Sequence, residues 1–343
     1  APYGILEPMI MSIGYLIKCD ALYIFYPLMA ICGVGIMCTG MYYSHGKKDN
    51  YFSFLVLGAG LTFLFTNFDY VLSTILMLAH GPVAVYTLIL VMVIVMERRD
   101  TVPGFVWIAS LAAAMVLLTR IEGAIYVLFF LALSLGIESE TLKMNRVNIA
   151  VAGVIVVWNV YQMIVIGADA DPLFWTPDRG FLLVAGAIFL LLLTWLMSMR
   201  WRLLDFVKRH YFLIALGAIC LCIGALAVTT AREIASLNLP YFLSHFSNNE
   251  RMNDRINSGA IWTYILLLSP IVLHGKNRLA KWSVVLIWGH NLLIYFICLF
   301  RVDVPLHYGY FDSGRRTLVQ IMPAAVWMLA YCAGVKEERE EKQ

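Results

Sequence analysis

Charge is what this 343-residue chain has least of: 14% of its residues are Asp, Glu, Lys or Arg, against 61% hydrophobic, and mean hydropathy is +0.79. A soluble domain carries about 25% charged residues, so composition alone excludes that class. The net charge of +3 is too small for a nucleic-acid partner. Cysteine is sparse: the 7 residues fall almost entirely within apolar runs, only Cys19 reads as lying outside one, and none shows paired metal-ligand spacing. They read as small buried hydrophobes. Also absent are a Walker loop, a zinc signature, a G-x-S-x-G elbow and a dinucleotide fingerprint, so nothing suggests a soluble nucleotide bound on the cytoplasmic side. Residue 1 is Ala, with no basic segment and cleavage site before it, and the expectation is a processed or partial chain.

What is present is apolar sequence in long runs with short polar punctuation. Hydropathy predicts helices at 21–43, 51–66, 71–96, 104–119, 124–136, 148–167, 181–199, 211–230, 259–274, 282–300 and 317–335, because a backbone in lipid must satisfy its own hydrogen bonds. The expected fold is all-α: a polytopic integral membrane helix bundle of about eleven transmembrane helices in a single domain. Residues 1–20 are expected as an outer-face interfacial segment, 21–335 as the bundle and 336–343 as a cytoplasmic tail.

The basic residues give the sidedness. With the first span running inward, SHGKKDN, ERRDTVP, ESETLKMNRVN, RWRLLDFVKRH, GKNRLAK and KEEREEKQ face the cytoplasm and hold 16 of the 25 Lys and Arg. That is the bias of the positive-inside rule. Reading 104–136 as one span erases the bias, so this stretch is expected to be two short helices turning at TRIEG. Eleven spans that start outside imply one further inward-to-outward helix and an external loop upstream of Ala1. The apolar stretch 4–18, interrupted by Pro8, is read as a helix lying on the outer face.

Charges at membrane depth are costly and usually have a purpose. Arg120 and Glu122 sit between apolar runs of 16 and 13 residues, which reach only about 24 and 20 Å and so fall short of a ~30 Å hydrocarbon core. Their turn is expected in a water-accessible depression below the outer interface. There Arg120 presents a donor fork suited to phosphate, and Glu122 could orient it or bind a cation. A structural ion pair closing the hairpin is the plainer alternative. Asp69, in the short external turn TNFDYV, points to the outer rim; it is a candidate catalytic carboxylate or the N-cap of the next helix. Arg315 and Arg316 precede the last span on the side where basic residues are disfavoured, which suits a lipid phosphate. His307 and Tyr308 in the same loop are candidate substrate contacts, and Tyr310 and Asp312 crowd it further. The Asp169-x-Asp171 pair fits turn residues better than a metal site. His80 and His290 fit helix packing better than catalysis. All the suggestive residues face outward, so the substrate is expected to be lipid-borne.

Three stretches resemble the GT-C superfamily of membrane glycosyltransferases. They are the opening APYGILEPMIMSIGYLIKCDALYIFYPLMAICGVGIMCTGMYYS, the segment WIASLAAAMVLLTRIEGAIYVLFF with its Arg-x-Glu-Gly turn, and FDSGRRTLVQIMPAAVWML. The resemblance implies transfer of a sugar from a polyprenyl-phosphate donor to an acceptor on the non-cytoplasmic face of a membrane, expected to be the inner membrane of a prokaryote. It maps a family acidic position onto Asp69, which with Glu122 of the turn above makes the candidate catalytic pair, and donor-phosphate arginines onto Arg120 and onto Arg315 or Arg316. The family's essential Asp, on its first external loop, would lie upstream of Ala1. A divalent cation, Mg or Mn, is the only cofactor this chemistry would call on. The partners implied are the lipid-linked sugar, the bilayer and further membrane proteins.

Two other classes compete. A transporter or flippase of a lipid-linked substrate would carry internal repeats and midplane charges, and no clear repeat is seen. A non-catalytic membrane subunit of a larger complex would need no acidic residue in an upstream loop.

Overall fold

The computed structural model describes residues 22–45, 51–67, 70–71, 80–99, 102–119, 123–134, 141–161, 259–274, 278–299 and 318–334, with scattered helical positions between 184 and 221. In chain order the helices are α1 (Leu22–His45), α2 (Tyr51–Thr66), α3 (His80–Arg99), α4 (Phe105–Thr119), α5 (Gly123–Ser134), α6 (Thr141–Tyr161), α7 (Gly259–His274), α8 (Arg278–Leu299) and α9 (Met322–Gly334). A 3-10 turn, Val319–Ile321, leads into α9. The described residues are helical and contain no strand, so the all-α expectation holds.

The helices are apolar on nearly every face, as in YFSFLVLGAGLTFLFT of α2 and FVWIASLAAAMVLLT of α4. Hydroxyl side chains inside them bond back to the preceding turn: Thr62 donates to the Gly58 carbonyl at 3.0 Å, Ser269 to Ile265 at 2.8 Å and Ser283 to Leu279 at 2.9 Å. Such bonds satisfy a polar group within its own helix, without water. Among the described residues one stretch, His80–Glu97, is long and apolar enough to cross a bilayer by length and composition. Five further apolar helical stretches are 10–17 residues long.

Several element boundaries differ from the hydropathy reading. α6 begins at Thr141 and α8 at Arg278, several residues ahead of the apolar runs, and the last helix opens with a 3-10 turn. Hydropathy detects where apolar residues begin, whereas a helix continues through Lys, Asn and Arg, all of which tolerate helical backbone. At TRIEG the expectation of two helices is met, with α4 ending at Thr119 and α5 starting at Gly123.

The chain separates into two compact units. The first comprises Ala1–Phe25 and Ile89–Arg209. In it α4 packs against both α5 and α6. The Glu97 carboxylate, 1% exposed, closes one end: Oε1 accepts from Lys143 Nζ and Oε2 from the Val102 N–H, each at 2.6 Å. Gly104, at φ +72°, then turns the chain into α4 in a conformation that favours glycine. Farther along α6, Asn148 Nδ2 donates to Thr194 Oγ1 at 2.9 Å.

The second unit comprises Tyr26–Leu88 and His210–Gln343. Here α9 is the central helix, buried from Met322 through Cys332 and packed on α2, α7 and α8. Gly60 allows the close approach of α2, since a Cβ there would lie 2.6 Å from Val326 Cγ1. On the contact of α2 with α7, the Tyr264 hydroxyl donates to the Val56 carbonyl, and its ring meets Phe63 at 5.3 Å. Trp288 Nε1 donates to Ser269 Oγ at 3.1 Å, tying α8 to α7.

The core is apolar, but it also holds several polar side chains, and many large apolar side chains lie on the surface. Ser53, Asn148, Thr194, Ser283, His290, Asn291 and Gln320 are buried, while Leu55, Trp107, Leu111, Val157, Leu267 and Ile271 are exposed.

Candidate functional site

The α4–α5 hairpin brackets the Arg120 and Glu122 positions singled out in the sequence. Its two arms have 15 and 12 residues, about 22 and 18 Å of helix. Gly123, the first residue of α5, packs against the backbone of Val116 and Leu117. A Cβ at this position would collide with the Val116 carbonyl and lie 2.9 Å from Leu117 Cα. The glycine therefore permits a very short reversal, and residues 120–122 (Arg-Ile-Glu) are all that connects the two helices. Arg120 and Glu122 themselves lie outside the described residues.

Beside the hairpin, α4 and α6 border a groove of about 510 Å³. Leu118 forms one side, and Ala150, Gly153, Val157, Trp158 and Tyr161 the other. Gly153 opens its floor, where an added Cβ would meet nothing within 4 Å. Trp158 and Tyr161 stack at 5.4 Å with an interplanar angle of 13°. Its lining among the described residues is almost wholly apolar.

The turn after α2 shows a residue that the sequence reading missed. Asn67 Oδ1 accepts from the Tyr70 N–H at 2.9 Å, and the Asn67 carbonyl accepts from the Val71 N–H at 3.1 Å. A side-chain oxygen bonded to the N–H three residues ahead is an N-cap. Asn67 thus performs the capping offered above as the alternative role of Asp69. The available signal was the Thr-Asn pair ending the apolar run, since Asn is as good a cap as Asp. Tyr70 beside it is buried, and burial raises its phenol above the ordinary range. Asp69 lies outside the described residues.

The approach to the last helix gives a third piece. Gln320 Nε2 and His80 Nδ1 are 3.1 Å apart, joining the 3-10 turn before α9 to the start of α3. Both side chains are buried, in keeping with a packing role for His80. Arg315, Arg316, His307 and Tyr308 precede this turn in sequence and lie outside the described residues. His290 is buried in α8. Among the described residues, no group of three or more His, Cys, Asp or Glu side chains comes together in a way that could hold a metal ion.

No family model, curated protein or solved structure matches this chain.

Proposed function

We propose that the chain is a polytopic membrane glycosyltransferase, moving a sugar from a polyprenyl-phosphate donor to an acceptor on the non-cytoplasmic side. The membrane part of this reading is supported by the exposed helix faces, which carry many large apolar side chains, while several amides, hydroxyls and imidazoles are buried within an apolar core. Exposed apolar surface on this scale needs a nonaqueous neighbour, and buried polar groups are how helices associate in lipid. Packing supports the alternation of spans. Glu97 and Lys143 meet at ends that the basic-residue count assigns to one side, and Ser283 and Cys332, 3.5 Å apart, do likewise in the second unit.

The observation that carries the catalytic part is the α4–α5 hairpin, whose arms are both shorter than a ~30 Å hydrocarbon core. Its connection consists of an arginine and a carboxylate around one isoleucine, in a chain with little charge to spare. A guanidinium in that position suits the phosphate that must leave. In the transfer, the bond between the sugar's anomeric carbon and the lipid-phosphate oxygen breaks. A bond from that carbon to the acceptor oxygen forms, and a carboxylate, Asp69 or Glu122, takes the acceptor's proton. Arg120, with Arg315 and Arg316, stabilises the negative charge left on the lipid phosphate. Asp69 and Glu122 are the oxygen donors a divalent cation would use; the described residues add none, and no step here depends on a metal.

The test is sugar release from a polyprenyl-phosphate donor in reconstituted vesicles. Arg120→Ala and Arg315→Ala should each abolish it while helicity is unchanged. Full turnover in both variants would remove the assignment. Movement of intact lipid-linked sugar across the bilayer without transfer would replace it with a flippase.

A further inference from the structure

Two polar side chains of the last helix and the turn before it are buried with a hydrogen-bonding atom to spare. Gln320, 1% exposed in the 3-10 turn, engages His80 of α3 through Nε2, and its Oε1 has no partner. Trp327, 0% exposed, has no partner for its indole N–H. Trp262 and Trp282 are almost as deeply buried, and neither indole N–H is left over in this way. One spare atom is an acceptor and the other a donor. Seven residues of helix separate their backbones by roughly 11 Å along the axis, well beyond a direct bond of about 2.9 Å.

The helix opposite follows the same spacing. By the basic-residue count, α3 and α9 both run from the outer side toward the cytoplasm, and the His80–Gln320 contact sets their starts level. Equal rise per residue then places Ala84 level with Ala324, and Thr87 level with Trp327. All four are buried. His80 and Thr87, like Gln320 and Trp327, are two turns apart and so share a helix face. Between these polar pairs the two alanines extend no long side chain, and Thr87 adds a hydroxyl at the Trp327 end.

We propose that a short file of about two or three water molecules binds between α3 and α9, donating to Gln320 Oε1 at one end and accepting the Trp327 N–H at the other. Water is the ligand that suits both atoms. A cation would be repelled by the indole N–H, and an anion by the Gln320 oxygen. An apolar occupant would leave both atoms unpaired, which is costly in a buried site. Water donates and accepts, and a buried site with several polar partners is where it is held. The inference takes the directions of α3 and α9 from the membrane reading above and is independent of sugar transfer.

The full chain, floated with vesicles and then purified in a mild detergent, is given short X-ray pulses that form hydroxyl radicals from bound as well as bulk water. Oxidised residues are read by mass spectrometry. Trp327 should be oxidised several-fold faster than Trp262 and Trp282, although all three are buried. After rapid transfer into heavy-oxygen water, label should reach Trp327 later than it reaches the exposed Trp107. Gln320→Leu removes the acceptor and Ala324→Leu fills the space, and each should lower Trp327 oxidation to the level of Trp262 with helicity retained. Gln320→Leu adds no bulk and decides the matter where Ala324→Leu does not fold. Gly153→Ala, in the first unit, should leave Trp327 oxidation unchanged. Wild-type protection of Trp327 equal to that of Trp262 and Trp282 would overturn the site. So would oxidation unaltered in the folded leucine variants, or label arriving at Trp327 and Trp107 together. A chain that does not float with vesicles would instead remove the membrane reading and the helix directions that follow from it.

Discussion

Glu97 and Lys143, 46 residues apart in sequence, meet at 2.6 Å, and the same carboxylate accepts the Val102 N–H through its other oxygen. One nearly inaccessible anion thereby joins the last turn of α3, the turn into α4 and the first turn of α6. Lys143→Met should destabilise the first unit by about 2–3 kcal/mol, because it leaves a buried carboxylate with a single N–H partner. Glu97→Gln should cost less, about 1–2 kcal/mol, because a neutral amide of the same shape can still accept the Val102 N–H. Thermal unfolding of the detergent-solubilised variants measures both. A double variant losing no more than Lys143→Met alone would confirm the coupling.

Gly60 should resist enlargement. Its Cβ would fall 2.6 Å from Val326 Cγ1, so Gly60→Ala should destabilise by roughly 1–3 kcal/mol through overpacking between α2 and α9. Val326→Ala in the same chain should restore most of the loss, because it removes the colliding methyl. Unfolding midpoints of the single and double variants give the answer, and additive losses would contradict the close approach.

Two glycines in the first unit should behave in opposite ways. Gly123→Ala sets a methyl against the Val116 carbonyl and the Leu117 backbone, neither of which can yield without opening the hairpin. Transfer activity and stability should fall together. Gly153→Ala enters open space and should be neutral or stabilising by up to ~1 kcal/mol, the difference in helix propensity. Unfolding curves for the pair, with turnover measured alongside, decide it.

Sidedness is open to labelling. Single cysteines in place of Arg315 and Lys208, in a chain whose native cysteines are replaced, should react with an impermeant maleimide from opposite faces of sealed vesicles. Reaction of both from the same face would invalidate the topology and, with it, the outward-facing site.

The Asn148–Thr194 bond joins two buried side chains at 2.9 Å. Thr194→Val should cost about 0.6 kcal/mol, the average for side-chain hydrogen bonds between membrane helices, and at most about 1.7 kcal/mol. Unfolding in detergent at fixed lipid content reports it, and no change would show that Asn148 finds another partner.

Composition and hydropathy pointed to helices, because long unbroken apolar runs lack the alternation of strands and a helix bonds its own backbone within each run, and the described residues are helical. The break at TRIEG was legible from charge: Arg and Glu interrupt an apolar run, and the one-sided bias of the basic residues survives only if the chain turns back. Why it can turn so tightly was not legible. The need for Gly123 follows from where the Val116 carbonyl lies once α4 and α5 pack, which is a property of two helices together. The same holds for the partnership of Gln320 with His80 across 240 residues and for the burial of Glu97; the Asn67 cap, formed within three residues, was open to a local reading. Local chemistry sets which segments are helices and where charge is tolerated. Which polar groups find each other is decided only by packing, since a buried hydrogen bond depends on distances that sequence spacing does not encode.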